Sequence, residues 1–205
     1  MREELTLGKT DIWISPIGFG LMQWADYKTN YNESSNGNDV VSQMYHIALQ
    51  AGINLFDTAE AYGNGRSELL LGDCLRRDPQ KIIVATKFMP YPWRLNKREL
   101  RSALIRSLSR LGLDHIDLYQ MHWPFPPISI PTWMEAMASV VKEGLVRSVG
   151  VSNYSVTQTQ LAFDTLAKYN IPLASNQVKF NLLDQRPIQS GLVELCSQLG
   201  ITIIA

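Results

Sequence analysis

The strongest constraint on the fold is a rhythm. Seven short apolar runs end near Gly20, Asp57, Lys87, His122, Ser152, Gln177 and Ala205, and the steps between those ends are 37, 30, 35, 30, 25 and 28 residues. Between the runs, apolar residues recur every three or four positions, which is helical spacing. Val40, Met44, Ile47, Ala48 and Ala51 form the first such stripe, with Asn38 or Asp39 as the cap and Gly52 as the stop. A second helix is expected from Arg66 to Arg77, burying Leu69, Leu70 and Leu75. Leu100, Leu104, Leu108 and Leu111 make a third, ended by Gly112, and Trp133, Met137, Val140 and Val141 a fourth. Helices near Val156–Tyr169 and Pro187–Leu199 complete the set of six.

The intervening strands, such as "KIIVATKF" and "IDLYQMH", are so apolar that both faces must be covered. Strict alternation with such strands means a parallel sheet dressed by helices. A near-constant period is what a (β/α)8 barrel of the TIM type requires. A doubly wound sheet needs a glycine-rich phosphate turn after its first strand, and "IGFGLMQW" offers Gly18 and Gly20 with no third glycine. Ahead of the rhythm, "LTLGKTDIWIS" places Gly8 and Lys9 between two strand-like runs and reads as a β-hairpin. The expectation is one domain over residues 1–205. It is an incomplete (β/α)8 barrel of about seven strands and six helices, entered through an N-terminal hairpin. A closed barrel needs an eighth strand and typically about 250 residues, whereas "ITIIA" ends on an apolar strand with no helix after it. The chain therefore reads as truncated near the end of its seventh barrel strand.

Composition narrows the partners. Nineteen basic residues balance nineteen acidic ones, so no long-range field steers nucleic acid or an anionic membrane toward the chain. Cys74 and Cys196 form no CxxC pair, and His46, His115 and His122 make no HxxxH or HxH spacing. Neither a disulfide framework nor a metal site is expected. The cysteines are expected as buried apolar residues in a reducing compartment. The N-terminus has no apolar core of signal-peptide length, and no window approaches a membrane span. The expected setting is the cytoplasm.

The strand ends carry the chemistry. Asp57, Lys87, the run Gln120–His122, the pair Ser152–Asn153 and Gln177 all fall where barrel strands converge on one mouth, and Tyr62 lies five residues past Asp57 in the following loop. Several have a plainer role available, Lys87 least of all, because a lysine closing a buried strand needs a partner. Asp57 can cap a turn, Tyr62 can pack on the surface, His122 can be a core histidine, and Ser152–Asn153 can cap the next helix. Together they suit general acid catalysis. A phenol ionises near about 10, a neighbouring ammonium favours its phenolate, a carboxylate keeps the ammonium charged, and a neutral imidazole can donate to a substrate oxygen. There is no GxSxG elbow and no close carboxylate pair at the strand ends. "GNGRSE" has Glu68 where a third glycine would fall, so Gly63 and Gly65 read as turn formers before a helix starting near Ser67.

These motifs resemble a known family. "GINLFDTAEAYGNGRSE", "VATKF", "LGLDHIDLYQMHWP", "GLVRSVGVSN" and "NQVKFNLL" occur in the order found in aldo-keto reductases, and "YPWRL" is similar to the plant, algal and cyanobacterial branch. The resemblance spans the chain. It implies reduction of an aldehyde or ketone with NADPH, a small-molecule carbonyl substrate, and a catalytic tetrad of Asp57, Tyr62, Lys87 and His122. Tyr62 would protonate the oxygen after transfer of the pro-R hydride. The same resemblance assigns Ser152, Asn153 and Gln177 to the nicotinamide carboxamide, the backbone from Gly20 to Met22 to the cofactor's ribose, and Asp57 also to the cofactor site. The aromatic residue that stacks on the nicotinamide and the segments that grip the pyrophosphate and 2′-phosphate would follow residue 205, so these 205 residues are expected to bind NADPH weakly and to be barely active unless something completes them. A cofactor-binding regulatory or redox-sensing subunit and an inactive fragment are the alternatives. Trp24, Trp93, Trp123 and Phe125 are expected to line the substrate side.

Overall fold

A computed structural model describes residues 5–25 and 35–205. The hairpin is β1 (Leu5–Thr6) and β2 (Trp13–Ile14), paired antiparallel. A seven-stranded parallel sheet follows: β3 (Gly18–Gly20), β4 (Leu55–Asp57), β5 (Ile83–Phe88), β6 (Ile116–Met121), β7 (Val146–Ser152), β8 (Leu173–Gln177) and β9 (Thr202–Ile204). Each strand pairs with its neighbours in sequence, in the order β3-β4-β5-β6-β7-β8-β9. The helices between them are α1 (Ser35–Gln50), α2 (Arg66–Arg77), α3 (Lys97–Leu111), α4 (Ile130–Lys142), α5 (Val156–Ala167), α6 (Arg186–Gln189) and α7 (Leu192–Leu199). This is the expected incomplete (β/α)8 barrel.

Local sequence sets most boundaries. Asn96 accepts from Arg98 N to open α3, and Gly112, in the left-handed region at φ 71°, closes it. The four leucines of α3 are all buried, each contributing about 1.5–3 kcal/mol. Ser155 opens α5 with a full capping box to Gln158. That removes the helix-cap reading of Ser152–Asn153, which lie upstream of the true cap. Gly63, Asn64 and Gly65 all have positive φ, at 56°, 54° and 88°, so the glycines are turn formers ahead of α2 as expected.

Three helix expectations need correction. α1 begins at Ser35, so Asn38 and Asp39 lie inside it. Downstream packing carries poor helix formers through one extra turn. In α2 the inward face is Ser67, Glu68, Leu71, Gly72 and Cys74, while Leu69 is 47% exposed and Leu70 and Leu75 are partly buried. The deciding feature is a buried carboxylate, Glu68, held by Thr86 Oγ1 at 2.6 Å and by Arg110 Nε at 2.6 Å. It rotates the helix away from the face that apolar spacing alone selects. The segment Pro187–Leu199 is two helices, because Gly191 adopts φ 80° between them.

Two apolar layers result. Outside the sheet, Phe56, Val84, Phe88, Tyr119, Met121, Val149 and Val151 pack against the helices. Inside it, Leu55, Ile83, Ala85 and Leu118 meet Leu7, Ile12 and Ile14 of the hairpin segment, which plugs the N-terminal end. Strand side chains alternate faces. The inward residues above Leu55, Ala85 and Leu118 are therefore Asp57, Lys87 and Gln120, and register places Gly20 beside Asp57, Lys87 beside Gln120 and Ser152 beside Gln177. The polar cluster sits directly on an apolar floor.

Candidate active site

Lys87 anchors the site. Its side chain is 1% exposed and Asp57's 14%. The ammonium donates to Asp57 Oδ1 and Oδ2, both at 2.7 Å, to Thr58 O at 2.9 Å and to the Tyr62 hydroxyl at 3.3 Å. A buried ammonium is tolerated only with such compensation. The Nζ atom also lies 5.0 Å from the centre of the Tyr62 ring.

His122 follows β6, with its backbone N–H on Phe88 O. Its ring stands edge-on to Tyr62, centroids 5.7 Å apart and planes at 81°. Nδ1 is buried and has no partner among the described residues. Burial, reinforced by the Lys87 charge and only partly opposed by Asp57, pulls the imidazole down from 6.5 to about 4. The ring is neutral across the physiological range.

A chain of amides crosses the barrel to the same carboxylate. Ser175 Oγ donates to Gln120 Oε1 at 3.2 Å, Gln120 Nε2 to Gln177 Oε1 at 2.9 Å, and Gln177 Nε2 to Asp57 Oδ2 at 3.0 Å. Asp57 can only accept, so the direction of every bond in the chain is fixed. Ser152 Oγ donates to Gln177 O at 2.9 Å, while Asn153 Nδ2 donates to His122 O and to Ser152 Oγ at 3.1 and 3.0 Å. Asn153 holds the left-handed region at φ 61°, which asparagine tolerates well. Beside this cluster, Gly20, Asp57 and Gln177 help line a groove of about 390 Å³. A side-chain carbon at Gly20 would meet nothing within 4 Å, and Met22 is exposed.

Asp57, Tyr62, Lys87 and His122 therefore form one contacting group, and Ser152, Asn153 and Gln177 a second, joined through Asp57. Gly20 and Met22 flank them. Of the expected aromatic residues, Trp24 is buried in the core, edge-on to Phe19, because the short 3-10 helix Met22–Ala25 turns it inward. Trp93 stacks on Tyr91 at 4.7 Å, and Trp123 on Phe125 at 5.4 Å, with both pairs on loops past the strand ends. Spacing gives no hint of a further pair, Glu60 with Arg94, which the fold brings together beside the site. A lone acid inside the loop "DTAEAY" is its only trace in the sequence.

Cys74 and Cys196 are free and buried, and burial pushes both thiols up to about 11. Among the described residues, no cluster of three or more potential ligands is placed to hold a metal, and no helix is long and apolar enough to cross a membrane.

A parallel barrel-type sheet thus gathers a buried lysine, an aspartate, a tyrosine and a histidine at its strand ends. The chain belongs to the aldo/keto reductase family, which it matches over residues 16–205. It is 36% identical over 205 residues to the chloroplastic pyridoxal reductase of Arabidopsis thaliana, covering 94% of this chain and 56% of that protein. With the aldo-keto reductase YhdN of Bacillus subtilis it shares 34% identity, covering 93% of this chain and 57% of that one. The chain thus spans about half the length of these curated relatives. A crystal structure of the thermostable aldo-keto reductase Tm1743 with the inhibitor epalrestat superposes with a TM-score of 0.88 at 31% identity, over 99% of this chain and 72% of that one. An aldo-keto reductase from Klebsiella pneumoniae in complex with NADPH does so at 0.84 and 27% identity, over 100% and 68%.

Proposed function

We propose that this site reduces an aldehyde or ketone to an alcohol with NADPH, Tyr62 being the proton donor. The observation that carries the reading is the Lys87 ammonium, bonded at once to Asp57 and to the Tyr62 hydroxyl beside a neutral His122. A reduced nicotinamide, when bound, supplies the hydride for the carbonyl carbon. The residues present suit its carboxamide. Asn153 commits both N–H groups of its amide to His122 O and Ser152 Oγ, which leaves its carbonyl to accept from the carboxamide NH2. Gln177 keeps one further N–H to offer. The open backbone at Gly20 admits a ligand along the groove.

The protein groups do the rest. With Nδ1 buried and without a partner among the described residues, the neutral imidazole keeps its proton on Nε2, and that N–H bonds the substrate oxygen. As negative charge develops there, the Tyr62 hydroxyl gives up its proton to it, and the Lys87 ammonium, held by Asp57, stabilises the phenolate left behind. Because these groups are already placed, little reorganisation accompanies the step.

The 205 residues act as one barrel-type domain taking a small-molecule carbonyl, with no nucleic acid or membrane partner. The two reduced, buried thiols favour the cytoplasm. Cell fractionation that recovered the protein elsewhere would reject that placement. The test of the chemistry is NADPH oxidation with 4-nitrobenzaldehyde. Slow turnover is expected, and Tyr62→Phe should lower kcat at least about 100-fold while leaving NADPH affinity within about twofold. Undiminished turnover in Tyr62→Phe would reject Tyr62 as the donor.

A further inference from the structure

The loop that carries Tyr62 is tied down on two sides. On one, Thr58 Oγ1 donates to Ser67 Oγ, which donates to Leu21 O. On the other is a buried ion pair. The Glu60 and Arg94 side chains are 7% and 11% exposed. Arg94 Nη1 bonds Glu60 Oε1, and Arg94 Nη2 bonds Oε2 at 3.0 Å. The Met89 N–H also donates to Glu60 Oε1, at 2.8 Å, and Met89 O accepts from Arg94 Nη1 at 2.8 Å. The guanidinium lies over the Phe88 and Tyr91 rings at 4.8 and 5.2 Å. Burial works against its charge, and the Glu60 carboxylate more than offsets that. The Glu60 backbone N–H meets Lys87 O. One fork thus joins the loop after β4 to the backbone leaving β5 just past Lys87.

We propose that Glu60 and Arg94 are positioning residues: their clamp fixes the loop that sets the Tyr62 hydroxyl over the Lys87 ammonium, although neither side chain touches the reacting atoms. The proposal rests on the carbonyl-reduction reading for its kinetic consequence but not for its structural one. Tyr62 lies two residues past Glu60, and its N–H closes a tight turn onto Ala59 O at 3.1 Å, so a shift at Glu60 is transmitted directly. Displacement of a reacting group by about 1 Å can cost on the order of 100-fold in rate. A forked guanidinium–carboxylate contact resists such sliding better than a single ammonium contact would.

The experiment compares wild type, Arg94→Met, Arg94→Lys and the double variant Glu60→Gln/Arg94→Met, which leaves no buried charge unpaired if the single variant misfolds. Amide hydrogen exchange is read at Glu60, Tyr62 and Met89, with Thr58 and Leu108 as controls. Arg94→Met, or the double variant in its place, should raise exchange at the first three at least about tenfold, with the controls unchanged. It should lower kcat about 10- to 100-fold for propanal and 4-nitrobenzaldehyde alike, and Arg94→Lys should recover part of both effects. Unchanged exchange at Glu60 and Tyr62 overturns the proposal, as does exchange raised across the controls. A change confined to KM for the larger aldehyde also overturns it. If wild type reduces no aldehyde, the carbonyl-reductase reading falls, and exchange alone decides the clamp.

Discussion

Lowering the pH should cost this fold stability through one side chain. The His122 imidazole is held neutral by burial and by the Lys87 charge, and titrates at about 4, against about 6.5 for an unfolded histidine. As pH falls, the unfolded chain therefore takes up the proton first. The contribution is complete above about pH 6.5 and is lost between about 6.5 and 4, below which both states are protonated. Linkage with those two values gives a loss of about 1 kcal/mol at pH 5.5 and about 2–3 kcal/mol at pH 4.5, relative to pH 7.5. The assay is equilibrium urea unfolding of wild type and His122→Gln at those three values. Groups distant from His122 cancel in the difference between the two proteins. That difference should shrink in favour of the variant by about 2–3 kcal/mol from pH 7.5 to 4.5. A difference flat to within about 0.5 kcal/mol would refute the buried, lysine-flanked ring.

Other substitutions probe separate contacts. Lys87→Met leaves Asp57 with only the Gln177 amide among the bonds described above, so urea unfolding should show a loss of about 3 kcal/mol and NADPH-linked turnover should fall at least about 100-fold. Arg110→Met strands the fully buried Glu68 carboxylate and should cost about 3–5 kcal/mol. Arg101→Ala breaks the exposed pair with Glu143 and should cost under about 1 kcal/mol in the same assay. A side-chain carbon at Gly72 would stand 2.4 Å from Arg110 O and 2.9 Å from Leu111 O. Gly72→Ala should therefore destabilise by about 1–2 kcal/mol despite alanine's better helix propensity, and a stabilised variant would show that α2 and α3 do not approach so closely.

Sequence by itself determined the repeating unit, because a buried parallel strand must be apolar on both faces and a covering helix must carry a stripe. Those two signals located all seven barrel strands to within a residue or two and made the strand ends at Asp57, Lys87, His122, Ser152 and Gln177 legible as one candidate site. The glycine stop signal marked the Gly112 end of α3, whereas its Asn96 cap emerged only from the structure. What sequence could not decide are relations between residues far apart in the chain. The inward face of α2 is set by Glu68 reaching Thr86 and Arg110, so Leu69 lies outside although its spacing is helical and its side chain apolar. Trp24 reads as a mouth residue until a 3-10 turn buries it. The Glu60–Arg94 fork, the amide chain from Ser175 to Asp57 and the lone Nδ1 of His122 exist only once the sheet curls and brings strand ends side by side. Local pattern fixes which residues of a strand share a face, since alternation is a property of the chain itself. Which inward residues touch, and what charge each then carries, depends on desolvation and distance, and those are properties of the tertiary structure.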